Sequence, residues 1–470
     1  MRNFIIILLI QILAASTFAE KPILQTAKPN ILLFVGDDWT WSDNEAYGNS
    51  DVKTPNIKQL AEEGMCFDNM FTSTAMCSPT RQQLYTGLFP ARSGGYPNHS
   101  FVYDGVKSLG HHFKALGYRV ALIGKTHYGP DASYPIEYLG GRHHDNGKNG
   151  GDIPMEKIES IVAAEQPFFL IIAQNQPHTP WNRGNPEAYD KDAISIPEYM
   201  VDCEETRKGI VKYYAEITYA DSLLGYCLNT IKNAGKKNST VSIFTSEQGY
   251  TYPFGKWTCY DLGLKTAFII SWPGKIKSGT RNSAFTQYVD VVPTLLDLIG
   301  ENPNNIDVGI ADTYGNRGFD GISFSNVVWG KSDEHRKYTY GMHTTRGIHA
   351  GSKTYPIRSV RSDKYKYIQN LSFESDFNNV NTKAKKGIYY TWLNEEKDSL
   401  KLDWLKTYKN RPYEELYDLE NDPYEMNNLA NNKELKEVKL KLRTELENWM
   451  KQQGDLGVGT EMKANEQKNH

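Results

Sequence analysis

The sequence predicts an α/β protein: a large, mostly parallel central sheet flanked by helices, with a smaller C-terminal α+β domain of antiparallel sheet and closing helix. Three observations predict it. Short apolar runs recur, the first ending in Gly36 before two carboxylates, helical patterns lie between those runs, and the texture of the chain changes near Lys337. The run Asn30–Gly36 is continuously apolar, the pattern of a strand buried on both faces, and Asp37 and Asp38 follow it at once. Similar runs recur at residues 119–124, 167–173, 240–245 and 267–272, and residues 213–234 carry the longest helical pattern. In such sheets ligands bind beyond the carboxyl ends of the strands, and polar residues cluster there in this chain. After Lys337 the alternating segments 359–368 and 389–393 read as antiparallel strands, and 433–453 as an amphipathic closing helix.

Domain boundaries follow from the same pattern. Residues 1–19 read as a secretory signal peptide: Arg2 opens it, residues 4–13 are nearly all apolar, and Thr17-Phe18-Ala19 offers small residues at the cleavage positions. A run of about ten apolar residues falls short of the roughly 20 that a spanning helix needs, so stable membrane insertion is not expected and the mature chain is expected to be secreted or periplasmic. Residues 20–336 form the expected N-terminal α/β domain, 337–453 the C-terminal α+β subdomain, and 454–470, rich in Gly, Lys, Asn and Gln, a flexible tail.

Composition narrows the function. Of the 470 residues 53 are basic and 56 acidic, a net charge of −3, which argues against a nucleic-acid binder. Any anion must be handled locally. Five cysteines are too few for a disulfide framework, and the odd number leaves at least one unpaired.

Cys77 has the most suggestive surroundings. Cys77-Ser78-Pro79-Thr80-Arg81 leads into a helix-like stretch, and Pro79, read as a first helical position, puts Cys77 at a helix N-terminus, where backbone N–H groups favour an anion. Arg81, one turn on, points its guanidinium fork at the same place. On these residues alone, an oxyanion-binding nucleophile turn and a structural cysteine at an ordinary helix both remain open. Asp37 and Asp38 beyond one strand, and Glu247 and Gln248 beyond another, offer the oxygen donors that Ca²⁺ or Mg²⁺ selects.

The motif C-x-P-x-R followed by Thr86-Gly87, behind a strand ending in Asp-Asp, resembles the type I sulfatase family. Further matches span nearly the whole mature chain: Gly124-Lys125-Thr126-His127, Pro177-His178-Thr179-Pro180, Asp290-Val-Val-Pro-Thr-Leu-Leu, Phe319-Asp320-Gly321 and Glu415-Leu-Tyr-Asp-Leu. Tyr134-Pro135 and Tyr355-Pro356-Ile357-Arg358 are most similar to the heparan N-sulfatase (sulfamidase) branch.

The resemblance implies that Cys77 is oxidised to formylglycine by a formylglycine-generating or anaerobic sulfatase-maturating enzyme. It implies one Ca²⁺, with Mg²⁺ the lesser alternative, held by Asp37, Asp38, residue 77, Glu247 and Gln248. The family normally has Asp followed by Asn or His where this chain has Glu247-Gln248, each longer by one methylene. A hydroxyl of the aldehyde hydrate would attack sulfur, and His127 would then take the proton from its remaining hydroxyl to expel sulfate. Arg81 and Lys125 would hold the nucleophile and sulfate oxygens, His178 and Lys256 would face the leaving group, and Arg358 would bind an anionic sugar.

The substrate implied is a sulfated oligosaccharide or polysaccharide, cut at an O–S or N–S bond. The alternatives are a phosphomonoester or phosphonate hydrolase of the same superfamily and an inactive sulfated-glycan-binding protein. His99, His343 and His349 offer themselves as pocket-lining residues, and His111-His112 and His143-His144 read as surface histidines.

Overall fold

A computed structural model describes residues 28–141, 153–383 and 387–468; the signal-peptide reading and His143-His144 lie outside them. The main sheet has nine strands among the described residues: β1 (Asn30–Gly36), β2 (Met65–Phe71), β3 (Arg119–Gly124), β4 (Glu137–Tyr138), β5 (Phe168–Ala173), β6 (Thr240–Ser246), β7 (Lys265–Ser271), β8 (Thr280–Asn282) and β9 (Thr286–Gln287). Their order is β4-β3-β5-β1-β6-β7-β2-β8, with β9 also paired to β2. Only β7 runs against the rest, antiparallel to both β6 and β2. The five apolar runs are β1, β3, β5, β6 and β7.

Burial explains why these segments are strands. In β1, Leu32 and Phe34 enter the hydrophobic layer on one face of the sheet, while Ile31, Leu33 and Val35 enter the layer on the other. Each such side chain contributes roughly 1.5–3 kcal/mol on leaving water, so a run apolar at every position is stable only with helices on both sides. Those helices include α1 (Pro55–Glu62), α2 (Cys77–Thr86), α3 (Glu204–Asn233) and α4 (Val291–Leu298). The long helix α3 begins nine residues before the expected start at 213. Its opening turns, Glu204-Glu205-Thr206-Arg207-Lys208, are polar and hide the apolar period, while Glu204 and Glu205 suit the positive end of the helix dipole.

A second sheet, antiparallel throughout, joins β10 (Thr339–His343), β11 (Ile357–Arg361), β12 (Tyr365–Asn370) and β13 (Glu414–Asp418) in that order. Two expectations are corrected in this half. Residues 389–393 are not a strand but part of helix α5 (Ile388–Glu395). Their Tyr-Tyr-Thr-Trp composition suits strands, yet Tyr389 and Trp392, three apart, bury one helical face, and the Trp392 indole donates to Thr206 Oγ1 at 2.7 Å.

The closing helix α6 (Lys436–Gln453) forms as expected, laying Leu442, Leu446 and Trp449 into a core with Met342, Val360 and Leu416. The tail beyond it is ordered rather than loose: it turns into α7 (Val458–Lys463), buries Asp455, Thr460 and Glu461, and ends with Lys468 O accepting from Phe101 N at 2.8 Å. Its small polar residues look like linker composition, but ion pairing and hydrogen bonding hold them.

Candidate active site

The register levels four strand ends. Val35 of β1 pairs with Ala173 of β5 on one side and Thr245 of β6 on the other, and Ala173 pairs with Gly124 of β3. The residues just beyond these ends share one edge: Asp37 and Asp38 after β1, Lys125 after β3, and Glu247 and Gln248 after β6. Gly124 makes the turn to Lys125 possible. Its φ is +101°, and a Cβ there would collide with the Ala173 carbonyl oxygen.

Helix α2 brings Cys77 to this edge. Met76 is its extended N-cap, so the helix opens at Cys77 itself and Pro79 is its third residue, not its first. All ten residues of α2 are buried. Thr80 Oγ1 donates to Glu247 O at 3.0 Å, and Ser78 N donates to Asn98 Oδ1 at 3.4 Å, pinning the start of the helix from two sides.

Three carboxylates and three cations interlock around Cys77. Arg81 Nε lies 2.5 Å from Glu247 Oε2, and its Nη2 lies 3.7 Å from Asp37 Oδ2. Lys125 Nζ lies 2.5 Å from Asp37 Oδ2 and 3.6 Å from Glu247 Oε1. Lys256 Nζ donates to Asp38 Oδ2 at 2.7 Å, and Thr251 Oγ1 to the same oxygen at 3.0 Å. Gln248 Nε2 donates to Asp38 Oδ1 at 2.7 Å and lies 3.5 Å from Cys77 Sγ. His178 Nε2 stands 3.6 Å from Asp38 Oδ2 with its side chain partly exposed, marking the mouth of the site.

These contacts set the protonation states. Burial pushes Asp37 up, but the Lys125 ammonium, a hydrogen bond with Glu247 and the nearby His178 together outweigh it and the carboxyl settles at about 2. Asp38 is likewise opposed by burial and carried below the ordinary carboxylate range by Lys256 and His178. Burial pulls Lys125 down while Asp37 holds it above its usual value. The Cys77 thiol goes the other way, pushed up to about 12 by burial and then by the Glu247 carboxylate. A thiol so placed is neutral at physiological pH and a poor nucleophile.

The donor set fits a hard cation. Ligand atoms of Asp37, Asp38, Cys77 and His178 all lie within 4.8 Å of one another. Asp37 Oδ1 and Gln248 Oε1 are buried with no hydrogen-bond partner. Leaving a buried acceptor unmet costs about 1–3 kcal/mol, which an oxygen-seeking cation relieves. Glu247 is used differently: its carboxylate turns to Arg81 and Lys125, and it stands outside that ligand group.

The structure therefore brings together Asp37, Asp38, Cys77, Arg81, Lys125, His178, Glu247, Gln248 and Lys256. His127 sits two residues past Lys125 with a left-handed backbone, its ring edge-on to His99 at 5.1 Å. Thr80 and Thr251 belong to the site without any signal in the sequence. The polar run Gln174-Asn175-Gln176, buried beyond β5, carried a signal in following an apolar strand directly. Gln176 O accepts from Asp37 N at 3.1 Å.

Arg358 does not join them. It is fully buried in β11, where Nη2 donates to Asp455 Oδ1 at 2.9 Å and Nη1 to His343 O at 2.9 Å. Its donors are committed to the protein, so a sugar-binding role is replaced by a structural one. His343 is buried against Phe377, with ring centroids 5.6 Å apart. Arg358→Ala leaves Asp455 buried and unpaired, and is expected to cost about 3–5 kcal/mol of stability. KM for a small sulfate ester should not change; a large KM rise with an unchanged denaturation midpoint would restore the sugar-binding role.

Residues 29–301 match the family described as Sulfatase, and residues 247–387 match N-sulphoglucosamine sulphohydrolase, C-terminal. An ulvan-active sulfatase of Formosa agariphila is 33% identical over 450 residues, covering 94% of this chain and 84% of that protein. The chain belongs to the sulfatase family. It is a sulfuric ester hydrolase.

This sulfatase is also 27% identical to the human N-sulphoglucosamine sulphohydrolase, over 90% of each chain. A solved structure holding D-glucosamine-2-N,6-O-disulfate as its substrate shares the fold, with a TM-score of 0.67, 18% identity, and coverage of 92% of the sulfatase and 99% of that chain. So does the phosphonate monoester hydrolase of Agrobacterium radiobacter, with a TM-score of 0.69, 19% identity, and coverage of 91% and 96%.

Proposed function

We propose that the protein removes sulfate from a sulfated glycan, using formylglycine made from Cys77 and one Ca²⁺ held by Asp37, Asp38, Gln248 and the residue-77 oxygen. The observation that carries this reading is a buried, charge-balanced cluster around a thiol that burial keeps neutral. A cysteine in that setting is inert until its chemistry is changed. Formylglycine, when hydrated, supplies an oxygen nucleophile there, and the cation, when bound, supplies positive charge for the sulfate oxygens.

The chain's own residues support the rest. Asp37, Asp38 and Glu247 balance Arg81, Lys125 and Lys256, so the protein part of the site is neutral. A dication with a monoanionic sulfate ester then makes the site net positive, which favours the negative charge that grows as the ester bond breaks. Arg81 and Lys125 are held rigidly enough to orient anionic oxygens. His127 is assigned the base role, and His178 and Lys256 the leaving-group side, with Lys256 kept protonated by Asp38. The buried position of Cys77 means that a maturating enzyme must reach it before the domain closes. Among the described residues no helix is long and apolar enough to cross a membrane. Export is proposed from the pattern of residues 1–19.

The glycan substrate rests on the ulvan-active and N-sulphoglucosamine relatives. The test is sulfate release from a panel of ulvan oligosaccharides and N-sulfated or O-sulfated glucosamines, with an aryl phosphate in parallel. Sulfate release with little phosphate release supports the reading; phosphate release alone overturns it. Chelation is expected to lower turnover and Tm together, with Ca²⁺ restoring both. A cation at a hundredfold its Kd contributes about 2.7 kcal/mol. Full turnover and an unshifted melt in protein shown by elemental analysis to hold no divalent ion would remove the cation from the site.

A further inference from the structure

A cavity of about 630 Å³ lies beside the Cys77 site and shares no lining residue with it. The loop that leaves Asp38 forms one wall, with Trp41 and Tyr47, and Tyr199, Tyr214 and Tyr424 form the others. Gly48, Ser50 and Ser195 make an exposed rim. Its volume suits a ligand of one to a few rings. The Tyr199 ring packs on Tyr250 at 6.1 Å, and Tyr250 O accepts from Lys256 N at 2.8 Å, so the cavity backs onto the segment that carries Lys256.

Lys265, at the start of β7, lines the cavity without an ion-pair partner among the described residues. Its ammonium lies 4.1 Å from the centre of the Trp41 ring. The wall carboxylate that pulls on it most, Asp261, is already engaged by Arg361 at 2.9 Å and Lys366 at 2.8 Å. Burial draws the Lys265 ammonium down to about 8, against the pull of Asp261, so at pH 7 it remains a cation short of an anion. Asp43, Asn49 and Asp51 add oxygen acceptors to the wall. Carboxylates and hydroxyls to accept from sugar hydroxyl groups, aromatic faces to cover a ring, and one ammonium without an ion pair to meet a sulfate or carboxylate are together complementary to a sugar that carries an anionic substituent.

We infer that this cavity is a glycan exosite, binding a sulfated or carboxylated sugar unit through Lys265 and the tyrosine faces while another unit of the same chain is cut at Cys77. This deepens the proposed function and rests on it. The exosite holds a polymeric substrate and leaves the chemistry alone, so its signature is a difference between long and short substrates.

The test uses an aryl sulfate, which reports the Cys77 centre, and a ulvan octasaccharide, with matured protein at pH 7. Lys265→Met is expected to raise KM for the octasaccharide about tenfold, the loss of roughly 1.4 kcal/mol. Its kcat, and both constants for the aryl sulfate, should stay as they were. Tyr424→Ala, on a half-buried loop position, should give the same split if Lys265→Met folds poorly, and Lys265→Arg should restore octasaccharide binding. Titration of Cys77→Ala protein with the octasaccharide should show a Kd about tenfold weaker when Lys265→Met is added. Equal KM and Kd with and without the Lys265 ammonium, while both substrates still lose sulfate, overturns the exosite alone. If neither substrate loses sulfate, it is the catalytic reading that fails.

Discussion

Cys77→Ala is expected to abolish sulfate release while leaving a folded protein. The thiol makes one long contact, to Gln248 Nε2 at 3.5 Å, so its loss should change stability by no more than about 1 kcal/mol. Turnover should fall by on the order of 10⁴-fold or more, the scale seen when a covalent nucleophile is removed. Cys77→Ser separates the nucleophile from the space it fills: the hydroxyl fits, but a serine sulfate ester lacks the second hydroxyl from which His127 would take a proton to expel sulfate. Sulfate release is measured with a small ester and with the glycan, and peptide mass spectrometry reads whether residue 77 of active protein has exchanged its sulfur for a carbonyl oxygen. An active enzyme that retains an unmodified Cys77 would end the formylglycine assignment.

Arg81→Ala is the second large effect, and it has two components. The guanidinium reaches both Glu247 and Asp37 from inside a fully buried helix turn. Its removal leaves two carboxylates facing one remaining ammonium, Lys125, with an expected loss of about 3–5 kcal/mol in stability. Beyond that, turnover of the protein that still folds should drop at least about 100-fold, because a fixed cation no longer opposes the anion. Arg81→Lys should recover part of the stability but little of the turnover, since one ammonium cannot span both carboxylates as a planar fork does. Denaturant titration and kcat/KM at saturating Ca²⁺ separate the two losses. A variant within 1 kcal/mol of the parent that keeps a tenth of its turnover would show that the clamp is misassigned.

Much of the sheet was legible because a strand buried on both faces is largely apolar: β1, β3 and β5 are apolar through their centres, and β6 and β7 carry Val, Ile and Phe between small Thr and Ser residues. β2 was not legible. Its centre is Asp68-Asn69, two polar residues where the pairing with β7 shifts register between Phe67 and Met70. β4, β8 and β9 are only two or three residues long and carry no period.

The site divides in the same manner. Asp37, Asp38, Lys125, Glu247 and Gln248 announce themselves by following strand ends, and Cys77 by its motif. Thr80 and Thr251 meet the cluster only through folding, and threonine on a helix or loop has many other uses. Arg358 was misread because nothing local reveals Asp455, which lies 97 positions further on and holds it in the core.

The reversed strand has a consequence for how this enzyme can diverge. Because β7 starts where β6 ends, the link between them never leaves the edge that carries the site, and one stretch of residues 247–264 delivers Glu247, Gln248, Thr251 and Lys256. A parallel β7 would have drawn that stretch across the far end of the sheet through a crossover. The antiparallel turn leaves that stretch anchored at both ends, so the residues proposed for the cation and for the leaving group can change together while the strands that carry Asp37 and Lys125 stay as they are.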